Sequence, residues 1–219
     1  GVTRFGGDGH GVANFIGVDN ANANAVVVNG GSLNFTGMAA GAGYLRIAAN
    51  GGPSVGALTV HGGAVNVGHS MNMGAHYANG VAPVNGTATL TLSGGEVNIG
   101  TGSDTATTWG SRGWLYLGNA AAGTVSRSTV NLDGGTLSLV QLEAGAYGTN
   151  TLNFNGGTLK ARANNANFVN GLNLACNVGA GGAVIDTDGF TDGIVADLAG
   201  SGSLSKNGAG TLVLQGTNL

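Results

Sequence analysis

Glu96 and Asp133 carry carboxylates in neighbouring units of a repeat, where a pair of acids could act on a polysaccharide. Glycosidases place two carboxyl groups around one glycosidic bond. Glu96 follows a Gly-Gly pair whereas Asp133 precedes the next one, so the two side chains are expected on opposite sides of a chain corner. The sequence therefore predicts no catalytic pair. No Gly-x-Ser-x-Gly or phosphate-loop motif indicates another enzyme class or a cofactor.

The segment DTDGFTD at 186–192 resembles part of a calcium loop. Asp186, Asp188 and Asp192 supply carboxylate oxygens around a glycine turn, and oxygen is the ligand that Ca²⁺ prefers. The bidentate glutamate and the full loop spacing are missing, and the Gly-Gly-x-Gly-x-Asp nonapeptide does not occur. These aspartates are a weak calcium candidate, and a polar corner of the repeat is the favoured interpretation.

The histidines and the single cysteine lack the spacing of metal ligands. His61, His69 and His76 are 8 and 7 residues apart. Metal sites usually show closer pairs or accompanying Cys and Asp ligands, so we expect these histidines to be solvated. Cys176 stands alone in an apolar segment and is expected to be a small buried core residue.

Aromatic side chains point to another kind of function, the binding of sugars. Trp109, Trp114 and Tyr116 lie in or beside a long connection between repeated units. Their rings could stack on sugars or cover the connection, and we favour the second interpretation.

These residues are positioned by a short repeated motif. Its template is apolar, any, apolar, polar, Gly-Gly, any, apolar, polar, apolar, and it occurs at 26–35, 58–67, 90–99, 130–139 and 152–161. The first glycines lie 32, 32, 40 and 22 residues apart, which indicates a stacked array with connections of variable length. The glycine pairs are Gly30 and Gly31, Gly62 and Gly63, Gly94 and Gly95, Gly134 and Gly135, and Gly156 and Gly157.

The alternation within each unit predicts two short strands separated by a corner. Every second residue shares a face, so Leu90, Leu92, Val97 and Ile99 are expected to point inward. Glycine reaches positive φ without strain and suits the corner; a hairpin at each glycine pair is the alternative. Third strands are expected at 44–48, 71–75, 114–118 and 140–145. Three strands in each turn of the chain describe an all-β solenoid, the parallel β-helix.

Outward positions carry asparagine and threonine. Asn34, Asn66 and Asn98 share one template position, which Ser138 continues, and stacked amides there predict a side-chain ladder. A row of outward threonines could suit ice or glycans, but it does not recur at 58–60 or 152–154, so ice binding is disfavoured. The members of that row are Thr87, Thr89 and Thr91.

The composition fits an elongated repeat protein. The chain has 219 residues, including 45 glycines, 7 Lys and Arg residues and 10 Asp and Glu residues. The formal net charge of -3 is too small to indicate a nucleic-acid or membrane-surface partner. No apolar run approaches the ~20 residues of a membrane helix, so membrane insertion of this segment is not expected.

Residues 200–219, GSGSLSKNGAGTLVLQGTNL, closely resemble the autotransporter-associated β-strand repeat. The segment at 181–192 resembles the lead-in to such a repeat. The resemblance implies a right-handed parallel β-helix, export to the bacterial cell surface or beyond, and a structural or adhesive role. The residues that match the family's motif are Gly200, Gly202, Leu204, Lys206, Gly208, Gly210, Thr211, Leu212, Leu214, Gly216 and Asn218.

Three functions compete on these observations. The favoured one is a non-catalytic structural or adhesive segment of a larger secreted bacterial protein, located outside the cell or on its surface. The alternatives are a glycan-binding module, or non-catalytic part of a polysaccharide-active enzyme, and a fibre subunit, so the expected partners are extracellular glycans or further copies of the chain.

The expected organisation is a lead-in or N-terminal cap at 1–24, coils at 25–199 and a truncated repeat motif at 200–219. Leu212 and Leu214 are expected to point inward with no following coil in this chain to cover them. We expect the segment to continue into further coils, to stack end to end, or to be covered by a cap that is absent from this chain.

Overall fold

The computed structural model describes residues 13–17, 23–35, 43–49, 54–74, 85–101, 113–118, 123, 125–171 and 173–218. The regular structure in these ranges is β-strand, because each short run of alternating apolar residues ends at glycine or polar residues before a helix could form. The described residues include no helix long and apolar enough to cross a bilayer.

In the described ranges, twenty-two strands, numbered along the chain, form three parallel sheets. Sheet 1 contains β1 (Ala13–Ile16), β4 (Tyr44–Ile47), β7 (Met71–Met73), β10 (Trp114–Leu117), β13 (Gln141–Ala144), β16 (Asn165–Asn170), β19 (Thr191–Ile194) and β22 (Thr211–Leu214). Sheet 2 contains β2 (Ala23–Val28), β5 (Val55–Val60), β8 (Thr87–Leu92), β11 (Arg127–Leu132), β14 (Thr149–Phe154), β17 (Leu174–Val178) and β20 (Leu198–Gly200). Sheet 3 contains β3 (Ser32–Phe35), β6 (Ala64–Val67), β9 (Glu96–Ile99), β12 (Thr136–Leu139), β15 (Thr158–Ala161), β18 (Ala183–Asp186) and β21 (Leu204–Asn207).

The chain winds as a right-handed parallel β-helix with three strands in each coil, as the sequence predicted. Strands β1 to β21 make seven complete coils, and β22 begins another. Each strand pairs with the strand three places further along the chain, so β2 pairs with β5 and β5 with β8. At ~4.8 Å between paired strands, seven coils give a rod about 34 Å long.

The interior is a stack of aliphatic side chains held in register. Leu58 lies between Val26 and Leu90 in neighbouring coils, and Leu90 is followed by Val130. The predicted inward residues of the repeated units are buried, except that Val26 and Leu33 in the first coil are partly buried against the same core. The predicted third strands are β4, β7, β10 and β13. The alternation in the sequence therefore locates the strands and the core of the repeated units.

The glycine pairs form corners between sheets, and the hairpin interpretation was wrong. Strands β2 and β3 flank Gly30 and Gly31 but belong to different sheets. In four pairs the second glycine has a left-handed backbone, with φ of 70° at Gly31 and 63° at Gly135. In the fifth pair the first glycine, Gly156, has that role, with φ of 107°.

The corners stack closely from coil to coil. A Cβ atom added to Gly135 would lie 2.6 Å from the Gly95 carbonyl oxygen and 2.7 Å from the Gly94 carbonyl carbon. The same position in the first coil, Gly31, has no neighbouring atom within 4 Å of such a Cβ. At the stacked corners, both the close contacts and the left-handed backbone exclude a side chain. At the corner of the first coil, only the backbone conformation disfavours one.

Side-chain ladders run along two outer faces. The ladder predicted on sheet 3 is confirmed, with Asn66 Nδ2 donating to Asn34 Oδ1 at 2.7 Å and Asn98 Nδ2 donating to Asn66 Oδ1 at 3.1 Å. A second ladder on sheet 2 was not predicted. It links Asn177 to Asn153 and Asn153 to Asn131, each at 2.8 Å. The two ladders bond neighbouring coils through side chains as well as through the backbone.

Threonines of neighbouring coils lie side by side on sheet 2. Thr59 lies beside Thr91 in the next coil, but the row of three threonines does not recur there, because Val55 and Ala57 lie beside Thr87 and Thr89. Thr89, Thr129 and Thr151 also form a continuous column. The outward residues of sheet 2 therefore stay in register from coil to coil, even where the connections between strands differ in length.

Both ends of the described chain take part in coils. Strand β1 and the start of β2 lie within 1–24, the segment assigned to a lead-in or cap, and β1 pairs with β4. The motif at 200–219 supplies β21 and β22, which pair with β18 and β19.

Candidate functional site

Two aromatic side chains project from the outer surface of sheet 1. Trp114 and Tyr116 alternate with the buried Leu115 and Leu117 along β10, so their half-buried rings point outward. The ring centroids are 5.3 Å apart and the planes are tilted by 38°. The third aromatic candidate, Trp109, lies outside the described residues.

Polar side chains of the next two strands border the aromatic pair. In register, Gln141 lies beside Trp114 and Glu143 beside Tyr116. Glu143 Oε2 accepts hydrogen bonds from Gln141 Nε2 at 2.7 Å and from Asn170 Nδ2 at 2.9 Å. The carboxylate is therefore held in place by one amide from its own strand and one from the next coil.

The amide chain continues toward the C-terminal coils. Asn165 Nδ2 donates to Gln141 Oε1 at 2.8 Å and to the Val140 carbonyl at 3.0 Å. These bonds fix the orientation of the Gln141 amide, because its oxygen accepts from Asn165 while its nitrogen donates to Glu143. The result is a pre-ordered polar surface next to two aromatic rings.

On the other side of the aromatic pair lie an amide and a cation. Asn72 of β7 lies beside Tyr116, and Arg46 of β4 lies beside Asn72. We call the outward residues Arg46, Asn72, Tyr116, Glu143 and Asn170 the sheet 1 row. With Trp114 and Gln141 alongside, this row brings together aromatic faces, amides and a carboxylate, which are the groups that bind sugar hydroxyls and sugar ring faces.

The two carboxylates first considered for catalysis lie on different sheets. Glu96 begins β9 of sheet 3, where its Oε2 accepts from Asn98 Nδ2 at 3.3 Å. Asp133 follows β11 of sheet 2 in the next coil, and its amide bonds the Leu92 carbonyl at 2.8 Å. In this part of the molecule the corner lies between the two residues, as the repeat predicted.

The aspartates of the calcium candidate have partners within the protein. Lys160 Nζ lies 3.2 Å from Asp188 Oδ1 and 3.7 Å from Asp186 Oδ2. Asp186 Oδ1 also accepts the Asp188 amide at 2.9 Å, which closes a local turn. Within the described ranges, no three His, Cys, Asp or Glu residues are grouped so as to hold a metal ion.

Asp192 is an unusual feature of sheet 1. It stands at an inward position of β19, two residues before the buried Ile194, and is itself buried. Its Oδ1 accepts the Asn165 amide at 3.2 Å, while its Oδ2 has no hydrogen-bond partner. Burial raises the pKa of this carboxyl to about 6, and the hydrogen bond from Asn165 offsets part of the rise. The alternation of Asp192 with Ile194 was the signal for this burial.

The expectation of solvated histidines was wrong for His69. This residue is fully buried at a corner, where its ring centroid lies 4.3 Å from that of Tyr44. Its amide bonds the Gly43 carbonyl and its carbonyl accepts from Gly113, so coils on both sides enclose it. His61 is exposed, with Nδ1 2.6 Å from Ser93 Oγ, and His76 lies outside the described residues.

No protein-family model matches the chain, no curated protein matches its sequence, and no solved structure matches it.

Proposed function

We propose that this chain is a structural, non-catalytic β-helical segment of a larger bacterial protein that acts outside the cell or on its surface. The observation that carries the proposal is the stack of seven coils in a common register. Such a stack holds its two ends at a fixed separation and so suits a stalk or an adhesive arm.

The contacts between coils support a load-bearing role. Each inner strand pairs along both edges, and the ladders through Asn66 and Asn153 add side-chain bonds on two faces. The carboxylates considered for catalysis, Glu96 and Asp133, occupy different sheets. The sequence motif at 200–219 supports an extracellular location, since it resembles a repeat of exported bacterial proteins.

Removal of one whole coil tests the structural role. Deleting residues 62–93 joins His61 to Gly94 and restores the template across the junction. We expect a folded protein that is shorter by ~4.8 Å along its axis, measured by energy transfer between dyes near the two ends. The matched control deletes half of this range, 62–77, and should unfold the adjoining coils because the strands lose register.

An enzyme assay tests whether the chain is non-catalytic. Acidic polysaccharides should remain intact when incubated with the purified chain. Measurable cleavage that is abolished by Glu96→Ala or Asp133→Ala would overturn the non-catalytic role.

Glycan binding is the second candidate function, and a specific observation favours it. Trp114 and Tyr116 place adjacent aromatic rings outward on a rigid strand, next to an ordered carboxylate and its amides. A structural arm with a sugar-binding surface would be an adhesin. Loss of polysaccharide binding in Trp114→Ala, with the fold retained in circular dichroism, tests this candidate.

A further inference from the structure

We propose that the sheet 1 row and its flanking residues bind a neutral, hydroxyl-rich glycan rather than an acidic one. This inference rests on the second candidate function above and specifies its ligand. The site consists of Trp114 and Tyr116 as the apolar surface and Glu143, Gln141 and Asn170 as the polar surface.

The aromatic pair supplies the contact for sugar ring faces. Trp114 and Tyr116 are two residues apart on one strand, and the buried Leu115 and Leu117 fix the direction in which they project. Aromatic side chains offer a large contact area and lose little conformational freedom on binding. A strand paired on both edges holds them more firmly than a loop would.

The polar surface has acceptor capacity left for hydroxyl donors. An ionised carboxylate accepts about four hydrogen bonds. At Glu143, two are donated within the protein, by Gln141 and Asn170, and both reach Oε2. The remaining acceptor positions suit sugar hydroxyls, and bonds to a charged acceptor are stronger than bonds between neutral groups.

The charge at the site selects against acidic glycans. The carboxylate of Glu143 lies beside Tyr116 in register, so a uronate or sulfate stacked on the rings would be repelled. Arg46 lies in the same row but two strands from Tyr116 and three from Glu143, so the backbone positions of Arg46 and Glu143 are about 14 Å apart.

Binding of polysaccharides to the intact chain tests the ligand class. The probes are a neutral glucan and a neutral mannan, with polygalacturonate as the acidic probe and chitosan as the cationic probe, compared by calorimetry at moderate salt. We expect a neutral probe to bind best. Trp114→Ala should weaken binding at least tenfold and Glu143→Gln several-fold, whereas Tyr147→Ala, which removes an exposed aromatic ring from the corner after β13, should leave it unchanged.

The outcomes separate this inference from the function on which it rests. Stronger binding of polygalacturonate or chitosan, still dependent on Trp114, would overturn the neutral ligand and keep the glycan-binding function. Binding of no probe would remove both. Neutral binding that is indifferent to Trp114 and Glu143 would place the site elsewhere and overturn the inference, and circular dichroism of each variant identifies any that has failed to fold.

Discussion

At the residue scale, Asp192 makes stability depend on pH. The side chain is 1% exposed and its pKa is raised from 3.8 to about 6. The folded state therefore keeps a proton that the unfolded state loses, and stability falls as pH rises from about 4 to about 6, then stays at the lower level. We expect Asp192→Asn to remove this slope and to stabilise the protein above pH 7 by at most about 3 kcal/mol, measured by urea unfolding.

A matched carboxyl controls for the loss of a charge. Asp133 is exposed at a corner, and Asp133→Asn should change stability by less than about 0.5 kcal/mol. If Asp192→Asn retained the wild-type fall in stability between pH 4 and 6, the slope would belong to another group.

Cys176 is predicted to be unreactive until the coil around it opens. The side chain is buried, and the burial, with a smaller contribution from the charge of Asp197, raises the pKa of its thiol to about 12. Because the thiolate is the reactive form, a disulfide reagent at pH 8 should label the folded protein at a rate set by opening. Rapid labelling under native conditions, at the rate seen in urea, would contradict the burial.

At the element scale, the corner glycines differ in how much they tolerate a side chain. Gly31→Ala adds a Cβ into open space and should cost about 1 kcal/mol for the left-handed backbone alone. Gly135→Ala has the same backbone cost and adds contacts of 2.6 and 2.7 Å with the corner below it. We expect it to cost at least about 2 kcal/mol more, measured by thermal or urea unfolding. If Gly31→Ala and Gly135→Ala lowered the free energy of unfolding equally, the close stacking of the corners would contribute nothing to the cost of a side chain.

The strands and corners could be predicted from the sequence because each depends on local residues. Alternation placed Leu90 and Leu92 inward, and the glycine pairs marked the corners. The burial of His69 could not be predicted, since Gly43 and Gly113 from other coils enclose it. Asn131 and Asn153 occupy the same position of the repeat template, so the ladder between them could have been predicted. It was missed because the connections between coils differ in length, which makes the coils harder to align from sequence.

The candidate site was predicted only in its aromatic part. Trp114 and Tyr116 stood out by residue type, whereas Gln141, Glu143 and Asn170 acquire their role from register between coils. Register follows from the stacking of β10, β13 and β16, whose spacing along the chain is irregular. A sequence pattern that locates the strands of one coil does not by itself give their register with the strands of the next coil.

At the scale of the whole molecule, the last described coil presents an apolar face. Leu204 and Leu214 are 38% and 41% exposed. Leu212 and Leu214 lie beside Asp192 and Ile194 of the preceding coil, so they point inward as expected. A further coil would cover this face, and an unpaired strand edge is a template for such pairing.

A lysine opposes that pairing. Lys206 lies beside the inward Ile185 in register, and its Nζ donates to the Gly208 carbonyl at 2.9 Å. Inward charge on an edge strand is a common guard against association. We expect Lys206→Leu to increase concentration-dependent self-association in sedimentation velocity, and Leu214→Asp in that background to reverse it. Association that responds to neither change would place the contact away from this face.

The stacked corners also bear on how such a gene could change in length. Gly30, Gly62 and Gly94 recur at intervals of 32 residues, and the corners at Gly62 and Gly94 each meet the carbonyl that precedes the glycine pair of the coil below. Unequal recombination between two such units would insert or remove one complete coil, and the new junction would reproduce an existing one. The length of the rod could then evolve in steps of ~4.8 Å, with no new interface to optimise at any step.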